Sequence, residues 1–264
     1  MDLGLQKKVA LVLGASRGLG FASALALAKE GVYVTIGARD NLALTAAAEK
    51  MRRETGSRIL AIPADVLKAE DLEKIVAGTV EEFGRLDILI NNAGGPPAGT
   101  FEDFDDNQWE RAFELNFLSV VRLIRLSLPH LRKTGSGRII NIVSTSVKEP
   151  IGNLILSNSI RPGVIGLAKT LSVELGRDNI TINNVCPGRM LTDRTLQGSS
   201  IQKKLAEGRS IEEAIKEVVK DIPLGRLGNP EELAALVVFL ASEQAGYITG
   251  TTIQVDGGLT RALF

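Results

Sequence analysis

Only one cysteine, Cys186, occurs in the 264 residues, so an intramolecular disulfide framework is impossible and a reducing compartment is expected. Neither sign of charge is in excess. Lys+Arg and Asp+Glu each number 31, so no net field draws the chain to nucleic acid or to an anionic membrane. The short basic run at 131–133 reads as a solvated face. No stretch approaches the roughly 18 uninterrupted apolar residues of a membrane span. The opening MDLGLQKK lacks the basic-then-apolar order of a secretory signal. A cytoplasmic protein with no nucleic-acid or membrane partner is therefore expected, and no metal. Histidine occurs once (His130) and tyrosine twice (Tyr33 and Tyr247), so side chains suited to moving protons are scarce. Pro/Gly/Ser linkers, repeats and low-complexity tracts are lacking too, which leaves 1–264 as one expected domain.

Apolar runs and helical periodicity alternate along the whole chain. Short runs rich in Val, Ile and Leu predict strands at 9–14, 32–38, 58–66, 86–94, 138–144, 180–188 and 251–258. Between them, apolar residues at helical spacing predict helices at 21–31, 41–56, 71–84, 107–131, 164–176 and 230–242. Strict alternation implies a Rossmann-type, doubly wound α/β fold with about seven parallel strands and helices on both faces. One region, 192–229, breaks the rhythm. Ser210 and Glu213 form a capping-box start to a helix there. An insertion after a strand's carboxyl end lies beside the ligand crevice, so 192–229 is either a substrate lid or a surface excursion.

LGASRGLG (13–20) joins the first strand to the first helix. Glycines at 14, 18 and 20 permit a tight turn, and the helix N-terminus behind them suits a pyrophosphate. The chain also carries NNAG at 91–94, Asn116 in LNFLSV, Ser144 after the fifth strand, PGxxxT at 187–192 and IQVDGG near the end. As an ordered set, these motifs resemble the short-chain dehydrogenase/reductase superfamily from about residue 6 to 259. The segment running from GRLGNPEELAALVVFLAS to VDGG is similar to the end of the 3-oxoacyl carrier-protein reductase group.

The resemblance implies roles. Gly14, Ser16, Arg17, Gly18, Leu19 and Gly20 would wrap the pyrophosphate and adenosine ribose of a dinucleotide. Asp65 and Val66 would flank the adenine, and Asn91, Ala93 and Gly94 would line the cofactor's path. Pro187, Gly188 and Thr192 would hold the nicotinamide carboxamide, and VDGG would be a structural and subunit-contact segment. A homotetramer is implied. The second strand ends IGARD, with no acid to accept a ribose 2′-OH, and Arg17 and Arg39 together suit a 2′-phosphate. NADP(H) is therefore expected over NAD(H). The competing reading has both arginines in solvent, with Asp40 pairing Arg39.

The family's catalytic pair is missing. Its tyrosine moves the proton, and a lysine four residues later holds the nicotinamide ribose and lowers the tyrosine's pKa. Here GVIGLAK (163–169) aligns with the helix that follows that pair, which puts Ser157 at the tyrosine and Arg161 at the lysine. The thirteen-residue spacing from Ser144 to Ser157 supports this frame. Asn116 and Ser144 match the family's remaining catalytic positions. Serine is far too weak an acid and arginine stays charged, so neither replacement supplies a proton. Pro162 suits a helix whose first turn it occupies, with Ser159 as N-cap. Lys148 would serve as an acid only if its loop folds inward.

The leading expectation is an NADP(H)-dependent oxidoreductase acting on a small carbonyl or alcohol, with Asn116, Ser144, Ser157 and Arg161 as an altered site. The alternative is a dinucleotide-binding protein without efficient turnover, either a sensor or a subunit of a hetero-oligomer. A third reading keeps the fold and changes the reaction, for example to an elimination.

Overall fold

Short runs of Val, Ile, Leu and Ala, too brief and too β-branched for helices, form the strands of the computed structural model, which describes residues 1–263. They are β1 (Val9–Leu13), β2 (Tyr33–Ala38), β3 (Ile59–Pro63), β4 (Ile88–Asn91), β5 (Arg138–Ile142), β6 (Thr181–Pro187) and β7 (Thr252–Val255). All pair in parallel, in the order β3-β2-β1-β4-β5-β6-β7. β1, β4 and β5 are buried on both faces, as expected for central parallel strands flanked by helices.

The main helices are α1 (Gly18–Lys29), α2 (Asn41–Thr55), α3 (Ala69–Phe83), α4 (Asp106–Phe113), α5 (Ser119–Thr134), α6 (Ile155–Ile160) and α7 (Pro162–Glu174). After β6 come α8 (Asp193–Leu196), α9 (Ser199–Ala206), α10 (Ile211–Val218) and α11 (Pro230–Ala241). Two apolar cores separate the layers. Leu27 of α1, Leu44 of α2 and Val237 of α11 pack on one face of the sheet. Ile75 of α3, Leu123 of α5 and Ala168 of α7 pack on the other. The chain winds outward from β1 to β3, then restarts at β4 and winds the opposite way. The carboxyl ends of β1 and β4 thus flank a topological switch point, where such sheets bind ligands.

Three expectations need correction. The helix foreseen at 107–131 is broken, because a wider turn over Glu114–Leu118 separates α4 from α5 and contains Asn116. The active-site helix starts at Ile155 and not after Ser159. It has no side-chain cap, and Asn153 just before it holds φ near 61°, so no capping residue signals the start. Pro162 is therefore the first residue of α7, directly after the one-residue gap at Arg161. It removes one N–H from the ladder, while Arg161 keeps helical dihedrals (φ −64°, ψ −28°) and carries the chain through. Finally, 192–229 holds three short helices in place of one. The Ser210–Glu213 capping box at α10 is as expected.

Candidate active site

The glycine loop folds as its sequence requires. Gly14 and Gly18 adopt φ near 60°, open to glycine at little cost. A Cβ built on Gly20 would collide with the Gly14 carbonyl oxygen, so the helix can approach the strand this closely only without a side chain. No side chain caps α1, whose N-cap residue is Arg17. Its first N–H groups therefore face outward unanswered, in a cradle that fits a phosphate group. Ser16 and Leu19 are half-buried in the loop. Arg17 and Arg39 are both exposed and make no ion pair among the described residues. Asp40 does not pair with Arg39. Its carboxylate caps α2 by accepting the Ala43 N–H at 3.1 Å.

Across the switch point, asparagines organise the carboxyl ends of the strands. Asn91 donates to Asn141 Oδ1 at 2.7 Å, and Asn141 to Asn184 Oδ1 at 2.9 Å, which ties β4, β5 and β6 in one row. Asn92 donates to the carbonyls of Leu13 and Gly14 at 3.0 and 3.3 Å and fixes the glycine loop to β4. Asn116 donates to the Gly94 carbonyl at 3.0 Å. The Oδ1 atoms of Asn91 and Asn116 are buried without a protein donor. Both residues line one hollow with Val66, Ala93 and Arg161. The Asp65 carboxylate is engaged by the Leu67 N–H at 3.1 Å.

Arg161 lines this hollow, and Ser144 and Ser157 lie on the elements beside it. Ser144 caps the short turn Thr145–Val147, its Oγ accepting the Ser146 N–H at 3.1 Å. That bond leaves the Ser144 O–H to donate elsewhere. Ser157 is buried, and its Oγ lies 2.9 Å from Ser146 Oγ. Arg161 is 7% exposed and donates to the Val143 carbonyl at 3.0 Å. Burial brings its pKa down to about 10, and the positive charge of Arg194 acts in the same direction. It stays charged at neutral pH. Cys186 lies behind, fully buried, its thiol pushed up to about 12 by burial.

On the lid side, Pro187 and Gly188 end β6, and Thr192 caps α8 through the Thr195 N–H. The Thr192 methyl lies opposite Gly18, about 3.8 Å from where a Cβ on Gly18 would stand. Arg194 reaches back across the cleft to the carbonyls of Gly95 and Pro96, at 3.2 Å each. In VDGG, the Asp256 carboxylate accepts the Gly258 and Thr260 N–H groups, the turn-forming duty of a structural segment.

The two tyrosines are far from this chemistry. Tyr33 opens β2 at the amino end of the strand and stacks on Phe83. Tyr247 is fully exposed. His130 lies in α5, with burial and Lys133 both lowering its pKa. Lys148 closes the turn that Ser144 begins and is half-buried. Ser146, Asn92, Asn141 and Arg194 are the site residues that sequence reasoning passed over.

A family model described as enoyl-(acyl carrier protein) reductase matches residues 14–260. The chain belongs to the short-chain dehydrogenase/reductase family. It is 35% identical over 258 residues to the short-chain dehydrogenase/reductase astE of Aspergillus oryzae, covering 97% of this chain and 96% of that one. L-sorbose reductase from Gluconobacter frateurii, solved with NADPH and L-sorbose, superposes with a TM-score of 0.96 at 34% identity, covering 100% of both chains. An actinorhodin polyketide ketoreductase solved with NADPH gives 0.90 at 33%, covering 97% of this chain and 98% of that one. No described helix is long and apolar enough to cross a membrane.

Proposed function

We propose that the chain is an NADP(H)-dependent oxidoreductase interconverting a small carbonyl compound and its alcohol. One observation carries the cofactor choice. The end of β2 presents Arg39 beside the Arg17 loop, and the adjacent acid, Asp40, is engaged in capping α2. Two guanidiniums without a carboxylate partner suit a 2′-phosphate. The L-sorbose reductase and the polyketide ketoreductase, both solved with NADPH, are consistent with that choice.

In this reading Gly14, Ser16, Arg17, Gly18, Leu19 and Gly20 hold the pyrophosphate and adenosine ribose, with Arg39 on the 2′-phosphate. Asp65 and Val66 flank the adenine, Asn91, Ala93 and Gly94 line the path, and Pro187, Gly188 and Thr192 take the carboxamide. When bound there, the nicotinamide supplies or accepts a hydride. Ser144 offers its free O–H to the substrate oxygen. Arg161 supplies a fixed positive charge near that oxygen, in a setting dry enough for the charge to count. Ser157 contributes a hydroxyl already engaged with Ser146. None of these groups releases a proton at neutral pH, so the proton comes from solvent, with Asn116 on its route. Loss of a general acid typically lowers the rate by about 10²–10⁴-fold, which describes a slow enzyme. Helices α8 to α10 form the lid, and the assembly is a homotetramer.

The Ser157–Ser146 pairing favours a second reading, a dinucleotide-binding protein without turnover. Calorimetric titration with NADPH beside NADH tests the cofactor half, and tighter NADPH binding is expected. Stereospecific transfer of label from NADPH to a carbonyl tests the other half. NADPH binding with no label transfer to any of a broad panel of carbonyls would leave the non-enzymatic reading standing.

A further inference from the structure

Given the reductase reading above, on which this rests, we infer that the substrate is a small oxo or hydroxy acid, with Arg194 taking its carboxylate. Arg161 is the second cation, beneath the reacting end.

Arg161 and Arg194 lie close enough for Arg194 to act on the charge of Arg161, and neither holds an acid partner among the described residues. Arg161 is more than nine-tenths buried and lines the hollow with Asn91 and Asn116. Its one protein partner among the described residues is the neutral Val143 carbonyl. Holding an unpaired guanidinium out of water is unfavourable, and an arriving anion offsets that cost. Arg194 is exposed on the first turn of α8 and spans from the lid to the loop after β4. Its partners are again neutral, the Gly95 and Pro96 carbonyls, each at 3.2 Å. Charge-assisted bonds to a carboxylate are shorter and stronger than these, so an anion exchanges for them readily. The planar fork of arginine also matches a carboxylate with two parallel bonds. The two cations oppose each other's charge, and an anion between them relieves that opposition.

The charges around this cleft leave the balance positive. Lys148 and Arg161 both favour the Cys186 thiolate, and so both bring positive charge to this region. Asp256, the acid felt there, is tied by the backbone N–H groups of Gly258 and Thr260. Asp193 precedes Arg194 in α8 but forms no ion pair with it. The dinucleotide's phosphates have other candidates in Arg17, Arg39 and the open end of α1, whose Gly18 faces Thr192. Arg194 is assigned to the substrate, and NADP⁺ affinity in an Arg194 variant separates that role from a phosphate contact.

The experiment is calorimetric titration of the protein saturated with NADP⁺, a state in which an oxo acid binds without turnover. 2-Oxobutanoate, levulinate and phenylpyruvate are each compared with their methyl esters, in the wild type and in Arg194→Gln. The expected result is at least tenfold tighter binding of one or more acids than of the matching ester. Arg194→Gln should abolish that preference while ester and NADP⁺ affinities stay within about twofold. Equal affinity for acid and ester across the panel overturns the inference. So does an Arg194→Gln variant that loses NADP⁺ affinity as strongly as acid affinity, because Arg194 then belongs to the cofactor's phosphates. If the wild type fails to bind NADP⁺ at millimolar concentration, the reductase reading fails instead. The acid-to-ester ratio of the protein without cofactor then decides the carboxylate question by the same criterion.

Discussion

Ser157 Oγ and Ser146 Oγ meet at 2.9 Å, both buried, where the helix α6 packs against the turn after β5. One of the two donates to the other, and neither ionises near neutral pH. On the proposed reading, the site keeps fixed charge and hydrogen-bond donors and draws its proton from solvent.

Restoring the acid should restore rate. Ser157→Tyr combined with Arg161→Lys is expected to raise NADPH oxidation with generic diketones or 3-oxo esters, by up to about 10²–10⁴-fold. Initial rates at saturating NADPH measure it, with circular dichroism as the check on folding. A folded double mutant that binds NADPH and gains nothing would falsify the proton-donor explanation.

Arg161 should be costly to the fold. Its guanidinium is buried beside a neutral carbonyl and repelled by Arg194, which brings its pKa down to about 10. A cation whose folded pKa lies below its unfolded value weakens the folded state at every pH under the folded value, and the penalty fades only as pH rises past about 10. Arg161→Met removes the charge and orphans one carbonyl, a loss of about 1 kcal/mol, against a larger gain from desolvation. The variant should melt about 2–4 °C higher, equally at pH 6 and pH 9, while losing turnover. A lower melting temperature across that range would mean that the Val143 bond outweighs the buried charge.

Cys186 should be silent as a thiol. It is fully buried against Val143 and Val164, and burial pushes its pKa to about 12, so almost no thiolate exists at neutral pH. Ellman's reagent should find no reactive thiol in the native protein and one in denaturant. Stoichiometric native labelling within minutes would show that the floor of the site opens.

The strands were legible because central parallel strands are continuous apolar runs, and β1 and β4 read that way directly. The strand order was implied only by family likeness, since nothing local states which strands pair. The sequence spacing proposes a frame for Ser144, Ser157 and Arg161 along one segment. Their partners were not legible there. Ser146 meets Ser157 only because a tight turn at 145–147 brings two distant hydroxyls together. Asn141 and Asn184 join Asn91 only through sheet register. The start of α6 had no capping residue to betray it, and the wide turn at Asn116 hides within ordinary helical periodicity. Arg194 sat in a stretch with no pattern at all, and its contact with Gly95 depends on how the segment after β6 folds back.

Gly20 tests the phosphate cradle without altering charge. A Cβ there would strike the Gly14 carbonyl and crowd the Asn92 side chain at 2.7 Å, both of them fixed parts of the loop. Gly20→Ala should therefore weaken NADPH and NADH alike, by tenfold or more on the logic that backbone N–H groups bind a phosphate only when properly aimed. Calorimetry with both dinucleotides measures it. Unchanged affinity in a folded variant would move the pyrophosphate away from this loop.

Arg39 tests the choice between the two dinucleotides. It stands exposed at the end of β2, next to Asp40, whose carboxylate is already committed to the α2 N-terminus. Arg39→Asp places an acid where a ribose 2′-OH would welcome it and a 2′-phosphate would be repelled. NADPH affinity should fall by about 10- to 100-fold, the range expected for losing a hydrogen bond to a charged group, while NADH affinity holds or improves. Arg17→Ala should weaken NADPH in the same direction without helping NADH. Because the contact is a surface ion pair, the wild-type preference should also shrink when ionic strength is raised about tenfold. If Arg39→Asp leaves the NADPH-to-NADH ratio untouched, the 2′-phosphate is recognised elsewhere, and the end of β2 is an ordinary solvated turn.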